Sequence, residues 1–530
     1  MQMGKNPFYY RLMLVILLGC LLPTLACNFP FRTTISEPGN ELKYTLTALA
    51  SVRPDDQTPV PESGEHQDPL PNTYIPTATQ SLVSIQLPAT PDLDASGSSY
   101  TYLANSGDTL HAVAKRFAVE PDQIISPEPI PDLGLLSPGQ ILIIPNQISE
   151  TRFAEILFPD AEVVNSPTAQ DFQIEDFINA AGGYLSEHHE QVNGSWLSGA
   201  DIVTKVSLEN SINPRILLAL LELRSGWVYG SLADADQLDY PIGFFVPDYK
   251  GLYYELVLTA THLGVGYYGW RSGDRTSLTF QDGSQLRLNP GLNAGTVALQ
   301  TVLSKISAQE EWRKILYEEN GFIDLFFAMY GDPWRRAAQV GPLLPTDLTQ
   351  PDLLLPYSPG ERWSFTGGPH RSWNAGSPRG ALDFSPVTGE PACTTSRAWV
   401  TASAAGVVTR ASDSVVALDL DGDGDEQTGW VLVYLHIAAP DGNLVGKAVF
   451  ADEPLGHPSC ERGKSTGTHV HIARKYNGEW ITAGGSIPFT LSGWETHMGE
   501  RNYQGELWKS GQIISANPGG PSSSLIIREE

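Results

Sequence analysis

The chain has 530 residues, with 60 acidic against 33 basic side chains and a formal charge of -27. That balance excludes a protein built to neutralise nucleic-acid phosphates, which needs a basic footprint. The length, with an ordinary apolar content, implies several globular parts joined by linkers.

At the N-terminal end Lys5 and Arg11 precede an apolar run from Leu12 to Leu22, followed by Pro23-Thr24-Leu25-Ala26-Cys27. A charged start, a short greasy core and a small residue before the break mark residues 1–27 as a secretory signal. The run falls short of the ~20 apolar residues that a comfortable membrane span needs. Leu25-Ala26-Cys27 resembles the end of a bacterial lipobox, with Thr24 where leucine is usual. The resemblance implies that Cys27 carries a lipid anchor into the membrane; simple secretion and an uncleaved anchor remain open, and each route is extracytoplasmic. Residues 28–98 are rich in Pro, Thr, Ser and Asp with no apolar period, which predicts a disordered tether.

Tyr100-Thr101-Tyr102-Leu103 and Ile141-Leu142-Ile143-Ile144-Pro145 read as two strands bracketing a helical middle that starts at Asp108 or Thr109. Residues 99–146 resemble a LysM module. The resemblance implies a small βααβ fold that binds N-acetylglucosamine-containing glycan, with Gly107, Asp108, Thr109 and Leu110 on the binding edge. A module that keeps this core and has lost sugar affinity is the alternative.

From 171 to 339 the pattern is helical. Ser198–Ser211 forms a capped segment, and Asn213-Pro214 opens a strongly apolar helix. Its continuation, Glu222-Leu223-Arg224-Ser225-Gly226-Trp227, resembles the lysozyme-like glucosaminidases and lytic transglycosylases. Those enzymes carry a catalytic glutamate where this chain has Arg224, and Glu222 lies two residues away, about 200° around a helix. The expectation is an all-α lysozyme-like domain that does not cleave glycan, although a helical domain unrelated to lysozyme remains open. A proline-rich linker is read at 340–360.

The last third carries His370, Asp383 in Gly380-Ala381-Leu382-Asp383-Phe384, His436 in Tyr434-Leu435-His436-Ile437, and Thr468-His469-Val470-His471. On a strand, the two histidines of His-x-His project to one face. In combination these motifs resemble the lysostaphin-type zinc metallopeptidases, the LytM family, which cut peptide bonds in bacterial peptidoglycan. The resemblance implies an all-β domain over 361–515, followed by a tail at 516–530, with zinc held by His370, Asp383 and His471. His436 and His469 would then flank the water as catalytic residues, their individual roles left open. Here Arg371 to Leu382 intervene between the first two ligands, an apparent loop insertion, and Thr468 stands where proline is common.

Two cysteines remain inside this domain, Cys393 and Cys460, and in an exported protein they most simply pair. Asp419-Leu420-Asp421-Gly422-Asp423-Gly424-Asp425 imitates the start of a calcium loop but has Trp430 at its twelfth position; Ca2+ on Asp419, Asp421, Asp423 and Asp425 and a solvated acidic hairpin both remain open. The functional expectation is an exported zinc endopeptidase held to peptidoglycan by its LysM module. The rival is a non-catalytic wall-binding protein or hydrolase activator, although such degenerate forms lose zinc ligands or histidines and this chain keeps all five.

Overall fold

The structure, a computed structural model, describes residues 99–149, 151–234, 236–438, 444–463, 465–520 and 522–529. The signal segment, Cys27 and the 28–98 tether lie outside the described residues. No helix among the described residues is long and apolar enough to cross a membrane.

Strands β1 (Ser99–Leu103) and β2 (Ile141–Pro145) pair antiparallel, with Tyr102 opposite Leu142. Between them α1 (Leu110–Phe117) starts at Thr109, whose side chain accepts from the Ala112 amide. Tyr102, Val113, Phe117, Leu136 and Leu142 form a small core of their own. The second helix of the expected βααβ pattern is reduced to one 3-10 turn, Pro121–Gln123. It cannot continue because Ile125 exchanges both backbone hydrogen bonds with Ile143, which pulls the chain into an extended bridge.

The helical part is built on α2 (Gly199–Asn210), α3 (Pro214–Ser225), α4 (Leu252–Arg271) and α5 (Ala294–Ile306). Side-chain caps set three of their starts: Ser198 on Asp201 N, Asn213 on Arg215 N and Asn293 on Thr296 N. It begins before the expected residue 171, since Phe158 packs edge-on against Phe322 and Phe326. Ile216 to Leu221 of α3 are wholly buried, which explains its continuous apolar run.

The C-terminal part is all-β. The strands along its main sheet, in chain order, are β3 (Arg362–Arg371), β4 (Arg379–Pro386), β5 (Gly406–Ser412), β6 (Val415–Asp419), β7 (Trp430–Leu435), β8 (Ala448–Val449), β9 (Val470–Tyr476) and β10 (Leu525–Ile527). They lie side by side in the order β8-β5-β6-β7-β9-β4-β3-β10. Alternation along β9 divides the two faces. Ile472 joins a core with Trp363, Phe384 and Tyr434. Ala473 faces the other way with Val431 and Val433, into the core of the helical part. The same face carries Lys475, wholly buried, whose ammonium meets Glu426 at 2.8 Å. Sheet and helices thus share one hydrophobic core, and the sequence boundaries between them shift accordingly. Leu353, Leu355 and Tyr357 of the expected linker are buried against the sheet. The expected tail supplies β10, in which Ile526 pairs with Trp363.

Candidate active site

The site forms where β3, β4 and β9 run together. His471 lies opposite Asp383 in the β9–β4 register, and irregularities in β3 bring Gly367 opposite Asp383 and His370 opposite Ala381. Gly367 is required there, because a Cβ would stand 2.4 Å from Asp383 Oδ2. His436 directly follows β7 with a positive φ of 64°, which swings its ring off the strand line. His469 precedes β9, in a bridge with Ser459.

Three donor atoms converge. His370 Nε2 is 3.2 Å from Asp383 Oδ1 and 3.0 Å from His471 Nδ1, and His471 Nδ1 is 3.4 Å from the same carboxylate oxygen. The other nitrogen of each ring meets a backbone carbonyl: His370 Nδ1 donates to Gly368 O at 2.9 Å, and His471 Nε2 to Ser372 O at 3.0 Å. A carbonyl only accepts, so these nitrogens carry the hydrogens and the converging pair is left with lone pairs. His436 and His469 follow the same rule, with Nδ1 on Glu461 O at 2.8 Å and on Gly467 O at 2.7 Å. Their rings sit 4.5 Å apart, and His469 Nε2 is 3.8 Å from Asp383 Oδ1.

The residues fit a divalent metal. Asp383 Oδ1 is buried with no hydrogen-bond donor, and two imidazole lone pairs face it. Two nitrogens and one carboxylate oxygen are the donor set of a catalytic zinc with a position left open. The electrostatics agree. Burial alone would raise Asp383 and lower His370; their mutual attraction reverses both, leaving the carboxyl well below its usual range and the imidazole above its own. Positive charge is therefore favoured at this point. Burial, aided by His469, pulls His436 down to about 3, so it is a neutral base at neutral pH.

Several contributors carried no sequence signal. Tyr503 stacks on His370 at 4.3 Å from a loop far along the chain. Arg379 ties that loop down through the Gly499 and Arg501 carbonyls at 2.8 and 2.7 Å. Glu461 and Ser372 act through main-chain oxygens, which any residue type supplies. By contrast, Cys393 and Cys460, which the sequence did single out, are joined, with Cα atoms 4.9 Å apart.

The other sequence-derived sites fare differently. Asp108 is buried, accepting from Tyr102 Oη at 2.6 Å and Arg116 at 2.5 Å, and Thr109 is the α1 cap. Gly107 lies against Arg271 and Leu344. The edge read as glycan-binding is therefore packed on the helical part, with Leu110 half-exposed at its end. In the acidic loop Asp419, Asp421 and Asp423 approach one another, but Asp425 turns to Gln170 Nε2 at 2.6 Å. Trp430 at the twelfth position is a strand residue with no carboxylate to offer, so the four-aspartate calcium site is not assembled.

In the helical part Arg224 binds Glu311 at 3.0 Å and the Ile242 carbonyl at 3.1 Å. Glu222 accepts from the Val228 and Tyr229 amides at 2.9 and 3.1 Å, which ties it to the turn after α3. A guanidinium cannot act as a general acid at neutral pH. Incubating the full chain with purified glycan strands is expected to release no new reducing ends or anhydromuramyl products, and Glu222→Gln should leave that result unchanged.

A family model described as LasA, N-terminal domain, matches residues 156–344, the region that the sequence pattern likened to lysozyme-like enzymes. Protease LasA of Pseudomonas aeruginosa is 25% identical over 314 residues, covering 56% of this chain and 70% of that protein. Among solved structures, the M23 metalloprotease pseudoalterin is 25% identical with a TM-score of 0.27, covering 32% of this chain and 96% of the other. The catalytic domain of lysostaphin from Staphylococcus simulans is 22% identical with a TM-score of 0.17, covering 24% and 89%. The chain is thus similar to Protease LasA over 314 residues, and its 156–344 region matches the LasA N-terminal domain model.

Proposed function

We propose that this protein is an exported zinc endopeptidase that hydrolyses a peptide bond of bacterial peptidoglycan. The observation that carries the reading is the convergence of His370, Asp383 and His471 on one point, with both imidazole hydrogens turned outward to backbone carbonyls. Zinc in such a site supplies a Lewis acid for a peptide carbonyl and makes a water acidic near neutral pH. His436, neutral and pinned at Nδ1, offers Nε2 to take the proton of the attacking water. His469, pinned at Nδ1 by Gly467, directs an Nε2 lone pair to the same side, where it accepts a hydrogen bond from the attacking water and orients it. The similarity to Protease LasA supports peptidase chemistry; the choice of peptidoglycan rests on the sequence resemblance to lysostaphin-type enzymes. Residues 1–27 would carry the protein out of the cytoplasm and anchor it through Cys27, and residues 99–146 would hold glycan on a face other than the packed 107–110 edge.

Metal analysis together with mass spectrometry of digested peptidoglycan tests this. About one zinc per chain and new amino termini within stem or cross-bridge peptides are expected; a zinc-loaded protein that leaves the peptides intact refutes the reading. Deleting residues 100–145 separates tether from chemistry. Pull-down by insoluble peptidoglycan should weaken while cleavage of a small soluble peptide persists, because the module has its own core. Equal pull-down by both proteins removes the tethering role.

A further inference from the structure

We propose that the end of α2, Glu209 and Asn210, positions the peptidase histidines from the helical part, so that the LasA-like region is a working component of the site. The inference rests on the peptidase reading above.

His436 is oriented by the carbonyl of Glu461 and His471 by that of Ser372. Each carbonyl sits in a loop that the helical part grips. In the first loop Arg462, half-buried with its side chain 21% exposed, adopts φ +61°, a left-handed conformation that a non-glycine residue holds only when its surroundings compel it. What compels it is a charge network. Arg462 Nη2 meets Glu209 Oε1 at 2.5 Å, and Nη1 meets Asp413 Oδ2 at 3.2 Å. Lys205, one turn before Glu209, bridges the same two carboxylates at 2.7 and 2.5 Å. Tyr253 of α4 adds a hydroxyl at 3.3 Å from the other Glu209 oxygen. Two cations and two anions thus neutralise one another around Arg462 and fix the backbone of its neighbour Glu461.

The second loop is the insertion between His370 and Asp383. Asn210 Oδ1 accepts from Asn374 Nδ2, while Asn374 Oδ1 takes the Gly376 and Ser377 amides at 2.7 and 3.2 Å. Gly376 presses backbone to backbone on α4: a Cβ there would lie 2.3 Å from Thr261 O, and one on Gly264 would lie 2.9 Å from Gly376 O. The loop is closed by Ser372 N donating to Pro378 O at 3.0 Å. The Arg462 guanidinium lies over the Trp373 ring at 5.1 Å and joins the two loops. Consecutive residues of one helix therefore hold the supports of a proton-handling imidazole and of a metal-ligating one. Groups that orient metal ligands and catalytic imidazoles govern affinity and rate by ~10–100-fold.

The two grips predict different losses, which a general loosening of the fold would not produce. In the zinc-loaded full chain, Glu209→Gln should lower kcat about tenfold with KM and zinc content unchanged. Asn374→Ala should instead make zinc about tenfold easier to remove with a chelator, leaving kcat of the loaded enzyme near wild type. Wild-type kcat in Glu209→Gln, or matching losses of zinc and kcat in both variants, overturns the proposal. In histidine-labelled protein, the His436 Nδ1 proton should be observed in wild type and exchange faster in Glu209→Gln. If the zinc-loaded wild type cleaves no peptide, the peptidase reading fails, and this proton alone decides the brace: unchanged exchange refutes it and faster exchange supports it.

Discussion

Replacing His471 or Asp383 by alanine is expected to abolish zinc binding and turnover together, whereas His469→Ala should keep zinc and lose at least ~100-fold in kcat. The contrast follows from where the lone pairs point. His471 Nδ1 and Asp383 Oδ1 belong to the converging trio, so removing either leaves two donors for an ion that needs three protein ligands. His469 Nε2 stands back at 3.8 Å from Asp383 Oδ1, beyond the trio and beside His436. Zinc content measured on purified full-length variants, alongside cleavage of a soluble peptide, checks the assignment. Zinc lost from His469→Ala and retained in His471→Ala would reverse it.

Arg474→Ala should cost about 3–5 kcal/mol of stability, the largest effect expected away from the site. Arg474, on β9, is wholly buried and has no carboxylate partner among the described residues. Its guanidinium donates to Gln350 Oε1 and to the carbonyls of Thr482, Ile487 and Pro488. It lies 5.4 Å from the Trp430 ring and 4.8 Å from Phe489. Burial pulls it down to about 9, so it stays protonated at neutral pH. Truncation would leave those acceptors dry around a cavity. Arg474→Met, which fills much of the volume, should cost less than alanine. Denaturant unfolding of the two variants against wild type measures the difference, and a loss below 1 kcal/mol in Arg474→Ala would show that water replaces the guanidinium freely.

The candidate site was legible because strand geometry is periodic. His-x-His places two rings on one side of the chain, and with Asp383 and His370 it names a donor set whose chemistry is narrow. The capped helices were legible for a similar reason: Ser198, Asn213 and Asn293 act on amides two or three residues away. The glycan edge misled, because Asp108 looks like an exposed loop carboxylate until Tyr102 and Arg116 are seen to close over it. In the acidic loop the spacing left calcium and a solvated hairpin both open, since it cannot reveal that Asp425 has Gln170 for a partner.

By itself the sequence determined the donor types, the local helix starts, the alternation of β9 and the candidate cysteine pair, all of which depend on residue identity and short spacing. Tertiary structure alone decided that helices and sheet share a core, that the supposed linker and tail belong to the β part, and that Arg462 reaches Glu209. It also decided which ring nitrogens face inward. Those outcomes depend on contacts between distant segments, such as the 253 positions between Glu209 and Arg462, and on carbonyl oxygens that every residue carries, so no local pattern of side chains encodes them.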